Sequence, residues 1–152
     1  MRKSKLILLL SAAFAVGIVL GGYLFARTQP RSVLTLSRCN GTCLQANELL
    51  GLMASVGIER FSSVIPKVIK ETDKTIVIVH PLPEARLHYL IIPKKDIKNL
   101  GELSDGDNEY LIDMFKVTQE VIREQKLTGY KLFSNGPAYQ SMTYLHFHLM
   151  AQ

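Results

Sequence analysis

The sequence predicts an α+β domain: an antiparallel sheet of about five strands with two helices against it, preceded by an N-terminal transmembrane helix. Three observations carry this. Short β-branched or alternating runs follow one another across links of hairpin length. Two longer segments carry apolar residues at helical spacing. A first segment, Leu6 to Ala26, contains no charged residue at all.

That first segment has about the 20 residues a bilayer-spanning helix needs. A secretory signal has a shorter apolar core, roughly 7–15 residues, so an uncleaved signal anchor is expected over residues 6–26, behind a basic tail at 1–5. A cleaved signal is the competing reading, with Ala13-Phe14-Ala15 or Gly21-Gly22 as small-residue sites. Three basic residues precede the span and three follow it, so the charge rule for orientation nearly ties. The layout of a short basic tail before the only span places the domain on the extracytoplasmic side of the membrane.

Residues 27–43 form a polar linker that contains Pro30 and closes on Cys39-Asn40-Gly41-Thr42-Cys43, the chain's two cysteines. Their spacing around Gly41 allows a small disulfide loop in an oxidising compartment; two free thiols or half of a zinc site are the alternatives. Asn40-Gly41-Thr42 fits a glycosylation acceptor, which matters only on a eukaryotic secretory route.

The domain proper is expected over residues 44–152. Leu44 to Phe61 reads as a helix with Leu49, Leu50, Met53, Val56 and Ile58 on one side, weakened by Gly51 and Gly57. Val64 to Glu71 is strand-like, but Pro66 makes it an edge or a bulge. Thr75 to His80 is a β-branched run expected in the middle of the sheet. Pro81-Leu82-Pro83 forces an extended link, and Arg86 to Ile92 gives the next strand, closed by Pro93. Ser104, with Asp107 three residues on, caps a second helix over about 106–126, with Leu111, Met114, Phe115, Val121 and Ile122 on its apolar side. Tyr130 to Ser134 is a fourth strand, and Asn135-Gly136-Pro137 opens a loop.

The last run, Gln140 to Ala151, alternates with period two. As a strand it would put Tyr144, His146 and His148 on one face and Leu145, Phe147 and Leu149 on the other. Imidazoles are ready near neutral pH to accept a proton, donate one or attack.

Net charge is +5 over 152 residues. Six basic side chains and no acid lie in residues 1–38, so the rest carries twelve basic against thirteen acidic groups. The basic excess flanks a membrane segment; it does not form a nucleic-acid face.

The run Tyr144-Leu145-His146-Phe147-His148-Leu149-Met150 resembles the active-site strand of the histidine-triad (HIT) family of nucleotide hydrolases and transferases, with tyrosine at the first histidine position. Leu87-His88-Tyr89-Leu90-Ile91-Ile92-Pro93-Lys94-Lys95 resembles the family's second hallmark, a strand ending in Ile-Pro-Lys. Asn135 and the pair Gln140-Ser141 stand where the family keeps an asparagine and a Gln-Ser pair.

The resemblance covers about Ile65 to the C-terminus and implies a HIT-like sheet. It also implies that His146 is the nucleophile, with His148 facing the phosphate or the leaving oxygen. Asn135 and Ser141 would donate to phosphate oxygens, and His88 would stand behind the first triad position. By the same resemblance residue 144 would help orient the nucleophile, part of that role falling to its main-chain carbonyl, which Tyr144 also supplies, and the Tyr144 hydroxyl could hydrogen-bond with His88 as a candidate partner. His80 stands where the family usually has a ribose-gripping aspartate, and Asp96 replaces a histidine common after Pro-Lys-Lys. Gln140 and His80 are therefore substrate-binding candidates. No cofactor is implied, and no Mg²⁺ ligand set stands out.

The leading expectation is a hydrolase or nucleotidyl transferase cleaving at the α-phosphate of a nucleotide ester or phosphoramidate. Alternatives are a pyrophosphatase acting on a lipid-linked nucleotide such as CDP-diacylglycerol, a non-catalytic nucleotide-binding membrane protein, and a metal-binding membrane protein using Cys39, Cys43, His146 and His148. A homodimer is an expectation from the resemblance alone.

Overall fold

The computed structural model describes residues 2–34 and 43–152. Its architecture is the α+β arrangement expected: a five-stranded, wholly antiparallel sheet with one long helix on each face and an apolar helix in front. The first helix, α1 (Arg2–Phe25), is long and apolar enough over Ser4–Phe25 to cross a membrane, by length and composition only. Val33 and Leu34 then meet Leu44 and Gln45 through a single antiparallel bridge and a Gln45 N–H bond to the Val33 carbonyl. Cys43 is disulfide-bonded, and the chain's other cysteine, Cys39, lies outside the described residues together with Asn40-Gly41-Thr42.

Helix α2 (Ala46–Phe61) precedes β1 (Val68–Glu71), β2 (Thr75–Val79) and β3 (Leu87–Pro93). Pro66 marks the start of an edge strand as expected: Lys67 adopts a left-handed φ of 59°, and the β1–β2 register slips between Val68 and Lys70. Ser104 and Asp107 form the expected reciprocal cap, with their bonds closing a 3₁₀ turn over Asp105–Asp107 before α3 (Asn108–Glu124). Met114, Val117, Thr118 and Val121 face inward from α3, whereas Phe115, placed on the apolar side by spacing, is half exposed and leans on Phe147. β4 (Tyr130–Phe133) and β5 (Phe147–Ala151) complete the sheet in the order β1-β2-β3-β5-β4.

The central strands β2 and β3 alternate between two apolar clusters. Val77, Leu87, Ile91, Leu149 and Ala151 pack beneath α3 with Met114, Val117 and Val121. Ile76, Leu90 and Ile92 pack on the other face with Ile58 of α2 and with Tyr144.

The terminal run departs from the sequence expectation. Only Phe147–Ala151 is strand. The preceding residues are drawn off the sheet by other partners: Thr143 N–H bonds to the Asn47 carbonyl of α2, and Leu145 N–H to the Ile97 carbonyl. Those bonds satisfy backbone groups that a longer strand would have paired with β3. Tyr144, His146 and His148 therefore do not form one strand face.

Candidate functional site

The sheet register builds the site. On β3 and β5, Leu90 lies opposite His148 and His88 opposite Met150, so the two histidines are diagonal neighbours on the face beneath α2. His80 follows β2 directly, and its N–H bonds to the His88 carbonyl. On the far side Phe133 of β4 lies opposite His148. Four rings thus form a row across four strands. His80 stacks on His88 with centroids 4.0 Å apart, and Phe133 stacks on His148 at 4.9 Å.

The hydrogen bonds of that row fix its protons. The Glu84 N–H can only donate, so His88 Nδ1 accepts it, at 3.2 Å. His88 then carries its proton on Nε2 and donates to His148 Nδ1, 2.9 Å away. His148 in turn carries its proton on Nε2, which stands 3.5 Å from Asn135 Nδ2; both are donors, so they do not bond each other and each is left for an acceptor. A main-chain amide thus sets the tautomer of two imidazoles in series, leaving an N–H donor at the open end.

His146 is set by a different bond. Its Nδ1 lies 2.7 Å from the Tyr144 carbonyl, and because a carbonyl only accepts, the proton sits on Nδ1 and the lone pair on Nε2. The edge of its ring meets His148 at 4.9 Å between centroids. Burial holds the imidazoliums of His146 and His88 below their usual range, and His80 adds to this in both. His148 is lowered to about 4, by burial first and then by His146, His88 and His80. All three are neutral near pH 7. The site is a cluster of uncharged imidazoles, with one lone pair and one N–H left for chemistry.

The remaining candidates fall elsewhere. Tyr144 is fully buried among Ile58, Ile76, Leu90 and Ile92. Its hydroxyl donates to the Pro93 carbonyl at 2.9 Å, not to His88, and burial holds its proton well above the ordinary phenol range. Gln140 is buried and donates from Nε2 to the Lys98 carbonyl, so its amide braces the loop. Its Oε1 is buried without a hydrogen-bond partner. Ser141 is exposed on that loop.

Beside the ring row, between α2 and the sheet, lies an apolar cavity of about 310 Å³ bounded by Ile58, Ile65, Ile76, Ile78, Leu90 and Met142. Leu90 faces His148 in register, and Ile78 stands two residues before His80, so the cavity shares the strands that carry the imidazoles.

Among the described residues, His80, His88 and His148 also bring ligand nitrogens within 4.8 Å of one another. Both nitrogens of His88 are already engaged, and a metal would have to displace its bond to His148. The four-residue metal reading with Cys39 and Cys43 falls partly outside the described residues.

Sequence reasoning missed the Glu84 amide, the Phe133 ring, and a buried Arg31–Asp96 pair behind the loop. No residue pattern marks the first two: one is a main-chain amide four residues before His88, and the other depends on register.

Comparison with known proteins gives one answer. Residues 59–152 match the family described as scavenger mRNA decapping enzyme C-term binding. An uncharacterized HIT-like protein of Buchnera aphidicola is 30% identical over 57% of this chain and 82% of its own length. One of Chlamydia trachomatis is 35% identical over 53% and 75%. Similarity extends to aprataxin of Ciona intestinalis (33% identical over 56% of this chain) and to an Arabidopsis thaliana bifunctional adenosine 5'-phosphosulfate phosphorylase/adenylylsulfatase (29% over 53%). The chain spans only 23% and 58% of those two proteins. Among solved structures, a HIT family hydrolase from Clostridium thermocellum superposes with a TM-score of 0.58 at 29% identity, over 64% of this chain and 89% of that one. On a match over more than half of its length, and on HIT-like relatives that it largely covers, this chain belongs to the scavenger mRNA decapping enzyme C-term binding family and to the HIT proteins.

Proposed function

We propose that this protein is a HIT-type hydrolase or nucleotidyl transferase that cleaves at the α-phosphate of a nucleotide ester or phosphoramidate through His146. The observation that carries the reading is the bond from His146 Nδ1 to the Tyr144 carbonyl, which leaves Nε2 as an unprotonated nucleophile on a neutral ring. In this reading Nε2 attacks the α-phosphorus and the bond to the leaving group breaks, the leaving atom taking a proton from solvent, which regains one from the water that attacks next. Water then attacks the nucleotidyl-His146 phosphorus, releasing a nucleoside monophosphate and restoring the imidazole. His148 Nε2–H and Asn135 are the uncharged donors for the phosphate oxygens, and the apolar cavity accepts the flat face of a base.

Tyr144 is compatible with this chemistry, because the part of residue 144 that touches the nucleophile is its carbonyl. The Arabidopsis relative, whose name describes adenylyl chemistry, supports the same class. In the full chain, held in detergent, AMP and CMP phosphoramidates and phosphoesters are expected to turn over, and His146→Ala to abolish this. A His146→Ala protein working at the wild-type rate overturns the reading.

A second reading, favoured by one observation, makes the substrate lipid-linked and α1 a membrane anchor. Phe25, the last residue of α1, lines an apolar groove with Leu49, Met53, Val56 and Phe61 of α2. Gly57 borders both this groove and the cavity beside the histidines. An apolar track thus leads from the end of the candidate span toward the site. Faster turnover of CDP-diacylglycerol than of AMP-phosphoramidate selects this reading, and the reverse order rejects it.

A further inference from the structure

Arg31 lies outside the family-matched segment, only six residues beyond α1, yet its side chain is 1% exposed and reaches the base of the histidine loop. Its guanidinium forks onto Asp96, Nη1 to Oδ2 at 2.5 Å and Nη2 to Oδ1 at 2.6 Å. The second hydrogen of Nη2 goes to the Thr143 carbonyl at 2.8 Å. Thr143 immediately precedes Tyr144, whose own carbonyl sets the His146 tautomer.

The surroundings are built to hold this arrangement. The Gln29 N–H donates to Asp96 Oδ2, and the Asp96 N–H donates to Glu59 of α2. Thr143 is gripped from the other side by the Asn47 carbonyl, which accepts both its N–H and its hydroxyl. Gly51 lets α2 come this close: a Cβ there would lie 2.6 Å from the Thr143 carbonyl oxygen and 2.9 Å from Arg31 Nε. A guanidinium supplies the paired donors for the carboxylate and a third for the carbonyl from one rigid plane, which an ammonium on a flexible stem does not.

We propose that Arg31 is a positioning residue for the nucleophile: a side chain from the linker, fixed by Asp96, holds the 143–144 backbone so that the Tyr144 carbonyl keeps His146 in its Nδ1–H form. The proposal rests on the reading of His146 as the nucleophile.

The test uses the full chain in detergent, with Arg31→Lys and Gly51→Ala as independent disturbances of the same contact. Two readouts are taken on protein shown by its melting curve to be folded. The first needs no substrate: ¹⁵N shifts of the His146 ring at pH 7 report one Nδ1–H tautomer in wild type and a mixture of tautomers in the variants. The second is turnover of AMP-phosphoramidate, where kcat falls roughly 10- to 100-fold with KM little changed, as expected for a misplaced nucleophile. If Arg31→Lys does not fold, Gly51→Ala decides. An unchanged tautomer and kcat in the folded variants overturn the proposal. A tautomer that shifts in a protein whose wild type turns nothing over upholds the positioning and removes the hydrolase reading instead.

Discussion

The two faces of the sheet are made from the same strands and put to different uses. Beneath α3, Val77, Leu87, Ile91 and Leu149 meet Met114, Val117 and Val121 in a cluster of purely apolar side chains. Beneath α2, the alternate positions of those strands carry His80, His88 and His148 beside Ile76, Leu90 and Ile92. The first face carries no titratable side chain in its buried cluster and is judged mainly by how well it fills space. The second must also find partners for its imidazoles and phenol, and main-chain groups supply three of them: Glu84 N–H, the Tyr144 carbonyl and the Pro93 carbonyl. Packing and chemistry are separated by one residue of register, so neighbours in sequence are expected to respond differently to substitution.

The largest effect is expected from His146→Ala: turnover falls on the order of 10³-fold or more, while the melting curve moves little. Leu149→Ala, on the opposite face, is expected to do the reverse. It costs about 2–5 kcal/mol of stability, read from the denaturant midpoint, with kcat per folded molecule retained. If both variants lost activity and stability together, the separation of the faces would be wrong.

Tyr144→Phe tests the border between them. It leaves the Pro93 carbonyl buried without its donor, at about 1–3 kcal/mol, and keeps the carbonyl at residue 144. kcat is expected to stay within about threefold of wild type. A collapse of kcat in folded protein would mean that the phenol takes part in the chemistry.

The smallest and most graded effect is on pH. The unfolded chain takes up its histidine protons near 6.5, whereas folded His148 does so only near 4, and His146 and His88 are also lowered. Between these values the unfolded state binds more protons than the folded one, so this contribution to stability is fully present above pH 6.5 and is lost as pH falls toward 4. Melting temperature is expected to decline through that window, with a shallower slope in His148→Asn. The acid limb of kcat/KM is expected below 6.5; a limb centred above it contradicts the neutral cluster.

Most of the sheet was legible from residue type. Thr75 to Val79 is a β-branched run that ends up in an interior strand, Pro66 marks an edge, and Ser104 with Asp107 announces α3, because each of these signals is local. The histidines were legible as residues of interest, and the four lie together beside Asn135. The alternation of the terminal run was misleading at its start. Period two describes Phe147 to Ala151, but Thr143, Tyr144 and Leu145 answer to Asn47, Pro93 and Ile97, contacts 51 to 96 residues away or set by a loop with no pattern of its own. The Arg31–Asp96 pair, 65 residues apart, was hidden for the same reason: two charged residues in polar stretches carry no sign that folding will bury them together.

The linker that delivers Arg31 is also a leash. Five residues, Ala26 to Pro30, separate the end of α1 from that buried side chain, and a chain so short spans less than about 20 Å even fully extended. If α1 crosses a bilayer, the imidazoles work within a thin layer at its surface. The rate at which they meet a substrate dissolved in that bilayer is then governed by molecules per unit area, and dilution of the surrounding water leaves it unchanged.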